Sequence, residues 1–401
     1  MDKILWISLC TPYKKIKHAG GQTLYSHITK IASTKKFDLK VLCLCNESEY
    51  TDAQESLANA DITIMVEHKS KVFSTINMEN RFNPLNRNAG YLSNSREYLI
   101  KKGIKSIKNT NFNPNIIILH WTEMLTLTPY IKKNFPSSKI IAIEEDVSFL
   151  KRERRYQAAK NPLIKCFHKI RYERSKKKEL QWLCRTDKIT VLNKKDAKLL
   201  ESNGIFSEKI FIFPPTFRDM SYLRHRTINN DVIFWGAMSR RENSDSAIWF
   251  IKNVMPLFKN VNIRFIVVGA NPPRNLKELE SDKIVVTGFV ENPDKYFENS
   301  LCMAVPLQMG AGIKVKVMEG LSSGIPVISN YLGVEGIDIE NQIHYILAET
   351  PEQFAFSIKK ILNDQEFSEK LSQNAINFIH NEYDEEKCTQ KFIEICEELS
   401  R

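Results

Sequence analysis

The chain has 401 residues, 42% of them hydrophobic, with 58 Lys and Arg against 47 Asp and Glu, for a formal charge of +11. That length exceeds what one hydrophobic core usually holds, so two domains of about 200 residues each are expected. No run approaches the ~18 apolar residues of a spanning helix, and ILWISLC near the amino end is too short and too poorly flanked for a secretory signal, so a cytoplasmic protein is expected. Of eight cysteines, Cys43 and Cys45 alternate along one strand and the rest are scattered without metal-ligand spacing. They read as reduced, mostly buried small hydrophobes.

Strands alternate with helical stretches, the pattern of parallel sheets covered on both faces. Lys3 to Cys10, Asp38 to Cys45, Asp61 to Val66, Asn115 to His120, Lys139 to Ile143, Lys188 to Leu192 and Lys209 to Phe213 read as one sheet. Gly20 and Gly21 fall between the first strand and a helix spanning Gln22 to Ser33, where backbone amides can approach an anion. Glu67 to Gly90 reads as a long loop. His120 ends the run NIIILHW at its carboxyl end, where parallel sheets place ligands, and a structural histidine would fit there equally well. Glu145 and Asp146 follow the next strand and are suited to binding a ligand or to capping the helix after it.

From Lys151 to Lys188 fourteen Lys and Arg face four Asp and Glu, a local +10 that supplies nearly the whole excess. Leu163, Ile164, Phe167, Ile170, Leu180 and Leu183 recur there at broadly helical spacing. A basic helix with an apolar stripe fits an anionic membrane surface at the inner leaflet. A solvated helix packing its stripe on its own domain fits as well. Nucleic acid is the weaker reading, since no readout motif accompanies the charge.

Pro214 and Pro215 cannot continue a central strand or helix and read as an interdomain hinge. They divide the chain into a domain of residues 1–214, a domain of residues 215–380 and a helical tail, residues 381–401. A second sheet follows at Asp231 to Gly236, Asn262 to Val268, Lys283 to Val286, Leu301 to Pro306 and Ile325 to Ser329.

The most informative stretch is GAGIKVKVMEGLSSGIPVISNYLGVEGID, Gly310 to Asp338. Gly310 and Gly312 allow a tight turn, and Ile313 to Ser323 reads as a helix. Lys316, Glu319 and Ser323 fall on the side of Gly312, with Ile313, Val317 and Leu321 on the other. Lys314 and Lys316 in a first helical turn are disfavoured by the macrodipole by a few tenths of a kcal/mol each, a penalty that a bound anion reverses. An ordinary amphipathic helix with Lys316 and Glu319 as an i,i+3 pair would produce the same pattern.

GAGIK, KVMEG, GIPVIS and GVEG together resemble the donor-site signature of retaining glycosyltransferases with the GT-B fold, near glycosyltransferase family 4 in its GAGIK branch. DVIFWGAMSRRENSDSAIWFIKNVMP, IRFIVVGANPP and VVTGFVENPDKYF precede it in that family's order. The resemblance implies two Rossmann-like domains facing each other across a cleft, with the last helix crossing back to the first domain.

It also implies roles. Gly20, Gly21, Arg240, Arg241, Gly312, Ile313, Lys314, Lys316 and Glu319 would hold the donor, and the backbone of Phe289 and Val290 would meet its base. His120 and Glu319 would serve the reacting centre, with Glu145 and Asp146 at the acceptor. Three departures stand out. Of the family's two glutamates eight positions apart, the first is replaced by Ala311, and its usual Arg and Lys would fall near Ala237 and Glu242. Arg240, Arg241, Lys314 and Lys316 would then form a reorganised diphosphate clamp.

The expected activity is that of a retaining glycosyltransferase using a UDP- or GDP-linked sugar and a glycan or lipid-linked acceptor, in polysaccharide or glycolipid synthesis. No DxD pair stands at a strand end, so a metal-independent enzyme without cofactor is expected, with cationic side chains at the leaving group. A nucleotide-sugar epimerase and a catalytically inactive GT-B partner of another transferase are the alternatives. A dinucleotide oxidoreductase is disfavoured because no G-x-G-x-x-G follows a strand.

Overall fold

The apolar runs become two all-parallel sheets, each with the crossover connections that parallel pairing demands. The computed structural model describes residues 1–14, 16, 19–55, 60–67, 90–310 and 312–401. It divides into one unit of Met1–Thr216 with Glu385–Arg401 and another of Phe217–Asp384. The expected loop at 67–90 lies largely outside the described residues, as does Ala311.

In the first unit, seven strands run in the order β3-β2-β1-β4-β5-β6-β7. They are β1 (Asp2–Ser8), β2 (Phe37–Asn46), β3 (Asp61–Glu67), β4 (Ile116–His120), β5 (Lys139–Glu144), β6 (Lys188–Val191) and β7 (Ile210–Ile212). Ile4 to Ile7 and Ile116 to Leu119 are fully buried, because helices cover both faces and each strand can be apolar throughout. Strand order reverses between β1 and β4, and ligands of open parallel sheets bind at such a point.

The helix Glu385–Ser400 belongs to this unit. Phe392 is fully buried, stacks on Phe213 at 4.7 Å between centroids and lies 6.0 Å from Trp6. Ser26 donates to Glu385 at 2.7 Å, and Lys36 pairs with Glu397 at 2.9 Å. The expected tail helix thus packs on the first domain, starting four residues later than residue 381. The boundary after the first domain falls at Thr216, two residues past residue 214.

In the second unit, the order is β10-β9-β8-β11-β12-β13. The strands are β8 (Asp231–Trp235), β9 (Arg264–Val268), β10 (Ile284–Gly288), β11 (Cys302–Val305), β12 (Val327–Ser329) and β13 (Ile346–Leu347). Five of these match the sequence expectation. The sixth, β13, was missed because two residues carry no readable alternation. The order reverses between β8 and β11, which sets the second candidate ligand position.

Among the described residues no helix is long and apolar enough to cross a membrane. Cys43, Cys45, Cys302 and Cys396 are buried as expected, whereas Cys166 and Cys184 are exposed.

Candidate functional site

In the first unit His120, with no exposed surface, ends β4, and its Nε2 lies 2.7 Å from the Glu145 Oε1. A carboxylate at that distance accepts a hydrogen bond from Nε2–H and leaves Nδ1 as the lone-pair nitrogen, a tautomer assigned from the partner. Nδ1 is buried and has no hydrogen-bond partner among the described residues. The ring lies 4.4 Å from Trp121 and 5.8 Å from Trp6. Trp121 takes φ 77°, ψ 144°, a conformation that costs a bulky residue roughly 1–3 kcal/mol and collects at ligand sites.

Glu145 is therefore the partner that orients His120, a role the sequence did not suggest. Neither Glu145 nor Asp146 is the N-cap of the next helix. Val147 holds that position without a side-chain cap bond, and the Ser148 amide donates to Glu179 at 3.0 Å. Asp146 is half-buried beside them.

Gly20 and Gly21 are not in a loop before a helix: the helix begins at Ala19, so both sit in its first turn. A Cβ on Gly20 would meet Trp121 at 3.4 Å and the Glu145 Oε2 at 3.6 Å. Those are ordinary contacts, so this helix turn lies directly against the His120 cluster. Behind the cluster is a buried network that the sequence did not reveal. Thr122 donates to Glu144, Ser148 donates to Thr122 at 3.0 Å, and Tyr91 donates to Glu179. Burial pushes the Glu179 carboxyl up to about 8 and that of Glu144 well above the ordinary range, the second reinforced by the charge of Glu179.

The second unit gathers its charged groups at the carboxyl end of β8. The Trp235 indole donates to the Glu319 Oε2 at 2.7 Å, and the Arg218 amide donates to the same carboxylate. Burial lifts Glu319 to about 7 against the lowering effect of these donors. Lys316 donates to the Asn243 Oδ1 and lies 4.6 Å from the centroid of Phe234, while Asn243 donates to the Ala237 carbonyl at 2.9 Å. Burial, with Arg240 and Lys314 adding repulsion, lowers Lys316 to about 7. Lys316 and Glu319 each have a partner outside their own helix, which explains the i,i+3 spacing better than a surface pair.

Two glycines allow the approach. A Cβ on Gly236 would lie 2.8 Å from the Asn243 Nδ2 and 3.2 Å from the Lys316 Nζ. One on Gly269 would meet the Gly236 carbonyl at 1.7 Å, so β8 and β9 close together only with glycine there.

The helix begins at Val315 rather than Ile313, and Lys314 is its N-cap. The Lys314 Nζ turns back to the Gly312 carbonyl, and Gly312 takes φ 70°. Ile313 is half-buried. Arg240 pairs with Glu242 at 2.7 Å at the start of the helix Arg241–Asn253. Arg241 is 86% exposed in its side chain and reaches Asp245 at 3.8 Å, so it stands apart from the Lys316 cluster. Phe289 is 77% exposed and Val290 half-buried, after the turn at Gly288 with φ 70°.

Trp235, Asn243 and Trp121 were missed. Trp235 and Trp121 could have been found, because each follows or ends an apolar run at its carboxyl end. Asn243 carries no such signal.

Residues 229–364 match the family model described as Glycosyl transferases group 1. A Klebsiella pneumoniae protein described as an uncharacterized 44.6 kDa protein in the cps region is 22% identical over 212 residues, spanning 50% of this chain and 54% of that one. Sucrose-phosphate synthase from Thermosynechococcus elongatus matches at TM-score 0.72 and 12% identity, over 100% of this chain and 99% of that one. Anabaena HepE in complex with UDP matches at TM-score 0.69 and 10% identity, over 99% and 100%. Staphylococcus aureus TarM, solved with Fondaparinux, alpha-GlcNAc-glycerol and UDP, matches at TM-score 0.68 and 11% identity, over 100% of each chain. Residues 229–364 thus resemble the group 1 glycosyl transferases, and the whole chain has the fold of two Rossmann-like domains seen in these solved structures.

Proposed function

We propose that the protein is a retaining glycosyltransferase that moves a sugar from a UDP- or GDP-linked donor to a glycan or lipid-linked acceptor in polysaccharide or glycolipid assembly. The observation that carries this is the Trp235–Glu319 and Asn243–Lys316 pairing at the carboxyl end of β8, inside the family-matched segment. A glutamate held by an indole accepts hydrogen bonds from sugar hydroxyls without a new ordering cost. An ammonium held beside the N-terminus of a helix meets a diphosphate. The printed ligands of the similar structures include UDP, and the similar Klebsiella protein is described from a cps region, which supports the nucleotide and the polysaccharide setting.

In the transfer, the bond from the anomeric carbon to the phosphate oxygen breaks and a bond to the acceptor oxygen forms on the same face. The departing phosphate oxygen takes the acceptor proton, so no strong base is required. Lys314, Lys316 and Arg240 are the groups to neutralise the leaving diphosphate, and no metal is assigned. Nδ1 of His120, buried and unpartnered, is the atom left to receive a ligand hydroxyl.

A thermal-shift panel of nucleoside diphosphates tests donor binding, since a ligand selective for the native state raises Tm by mass action. Hydrolysis of UDP- and GDP-sugars without acceptor, in the presence of a chelator, then tests turnover. Release of the sugar with its anomeric configuration kept supports the retaining course. Inversion, dependence on a divalent cation, or indifference to every nucleotide overturns the corresponding part.

A further inference from the structure

The basic segment does not fold as one helix with an apolar stripe along its length. It forms two helices, Ser148–Ala158 and Pro162–Leu183, joined by three residues. Tyr172 donates to Glu153 at 2.9 Å and stacks on Tyr156 at 6.3 Å, and Arg152 donates to Ser175. These pairs run in opposite directions along the chain, so the helices form an antiparallel hairpin. Its base is packed into the first unit: Phe149, Ser175, Glu179, Trp182 and Leu183 are buried. Polar Ser175 and Glu179 at buried positions are why no continuous apolar stripe forms. Its tip is open. From 157 to 170 no residue is buried, and Leu163 is 83%, Ile164 52% and Ile170 40% exposed.

Charge divides along the same axis. From Arg154 to Tyr172 there are six Lys and Arg and no Asp or Glu. Two neighbouring exposed aliphatic side chains at the exposed end of the hairpin, with Lys160, Lys165 and Lys169 within six residues of them in sequence, complement an anionic bilayer. The aliphatic pair enters the acyl boundary while the lysines stay at headgroup level. We infer that the hairpin docks tip-first on an anionic membrane surface, with Leu163 and Ile164 inserted and Lys160, Lys165 and Lys169 on the headgroups. This goes beyond the proposed transfer reaction and does not depend on it.

The geometry separates tip from base. Leu163 and Lys177 are fourteen residues apart on one helix, about 21 Å, which exceeds a Debye length of roughly 8–10 Å at ordinary salt. Lys176, Lys177 and Lys178 therefore contribute little to a tip-first contact, although they make the densest cation run in the sequence. Nucleic acid would respond to all these cations and ignore Leu163 and Ile164.

The test uses the full chain with vesicles of phosphatidylcholine alone or mixed with phosphatidylserine. Each headgroup-level lysine multiplies binding about fivefold, so Lys160→Glu with Lys165→Glu and Lys169→Glu should lower binding to mixed vesicles by about a hundredfold and remove its salt dependence. Leu163→Asp with Ile164→Asp should lower it at least tenfold with Tm unchanged, since both positions are exposed. Reversal of Lys176, Lys177 and Lys178 should leave it within about twofold. The two exposed cysteines give a second readout: a polarity-sensitive thiol dye on Cys166, in a Cys184→Ser chain, should shift to the blue on mixed vesicles. The same dye on Cys184, in a Cys166→Ser chain, should not. Absence of vesicle binding by the parent overturns the inference. So do equal losses from base and tip reversals, binding that survives Leu163→Asp with Ile164→Asp, and equal dye shifts at the two cysteines. Salt-sensitive binding of a homopolymer RNA in place of vesicles would assign the hairpin to nucleic acid, and self-association lost on Leu163→Asp to a second copy.

Discussion

The indole of Trp235, the last residue of β8, donates to the carboxylate of Glu319 at 2.7 Å across 84 residues of sequence. The bond fixes the carboxylate and favours its charged form against the burial that raises it to about 7. Trp235→Phe keeps most of the packing and removes the donor. A hydrogen bond to a charged group contributes about 1.5–3 kcal/mol, so donor turnover should fall roughly tenfold to a hundredfold. The fall should be larger at low pH, because the freed carboxyl titrates higher still. Steady-state kinetics against pH read this, and a variant within twofold of the parent at every pH would make the bond dispensable.

Lys316 should make nucleotide affinity pH-dependent. In the unliganded protein, burial with Arg240 and Lys314 nearby lowers its ammonium to about 7. A bound diphosphate raises it again. Affinity is then full below the free-protein value and falls as pH rises through it, by up to about tenfold per pH unit until the complex also loses its proton. Calorimetry in buffers of different ionisation enthalpy should show proton uptake on binding between about pH 7 and 9. Lys316→Met should weaken binding and flatten the profile. A flat profile in the parent would remove Lys316 from the diphosphate.

His120 and Glu145 should act as one unit. His120→Ala should abolish most turnover while nucleotide affinity stays nearly unchanged, since the nucleotide is assigned to the second unit. Glu145→Gln disturbs the imidazole tautomer and should cost about tenfold to a hundredfold. The double variant should be no worse than His120→Ala, because interacting residues are not additive. Additive losses would give Glu145 an acceptor role of its own.

The Glu144 and Glu179 network should make the first unit weaker at alkaline pH. The folded pKa of Glu179 lies near 8 against an ordinary 4.5, so the native state holds more protons than the unfolded chain within that window. Stability is then greatest at the acid end and is lost as pH rises towards 8. Glu144, shifted the same way, adds to the slope. Glu179→Gln should reduce the fall in Tm between about pH 5 and 8. An unchanged slope would place the titrating group elsewhere.

The last helix should matter to the first unit alone. Phe392→Ala empties a site among Trp6, Phe211 and Phe213 and should cost about 3–5 kcal/mol. A chain ended at Asp384 should lose hydrogen-exchange protection in β1 and β4 and keep it in β8 and β11. Equal loss in both sheets would contradict the assignment.

The sequence by itself determined twelve of the thirteen strands, with their ends placed to within two residues. A strand buried on both faces must be apolar throughout, and such runs as IIILH and DVIFW need no partner to be read. It also singled out His120 at the carboxyl end of an apolar strand, and Lys314, Lys316 and Glu319 in the helix after the glycine-rich turn. Periodicity gives faces, and it does not say what a polar group on that face will meet. Glu319 found Trp235, Lys316 found Asn243 73 residues away, and His120 found Glu145. Each pairing depends on the path of a distant backbone. The tertiary structure also decided that Gly20 and Gly21 begin a helix. It split the basic segment into a packed base and an open tip, because burial of Ser175 and Glu179 follows from where the hairpin leaves the sheet and not from their own polarity.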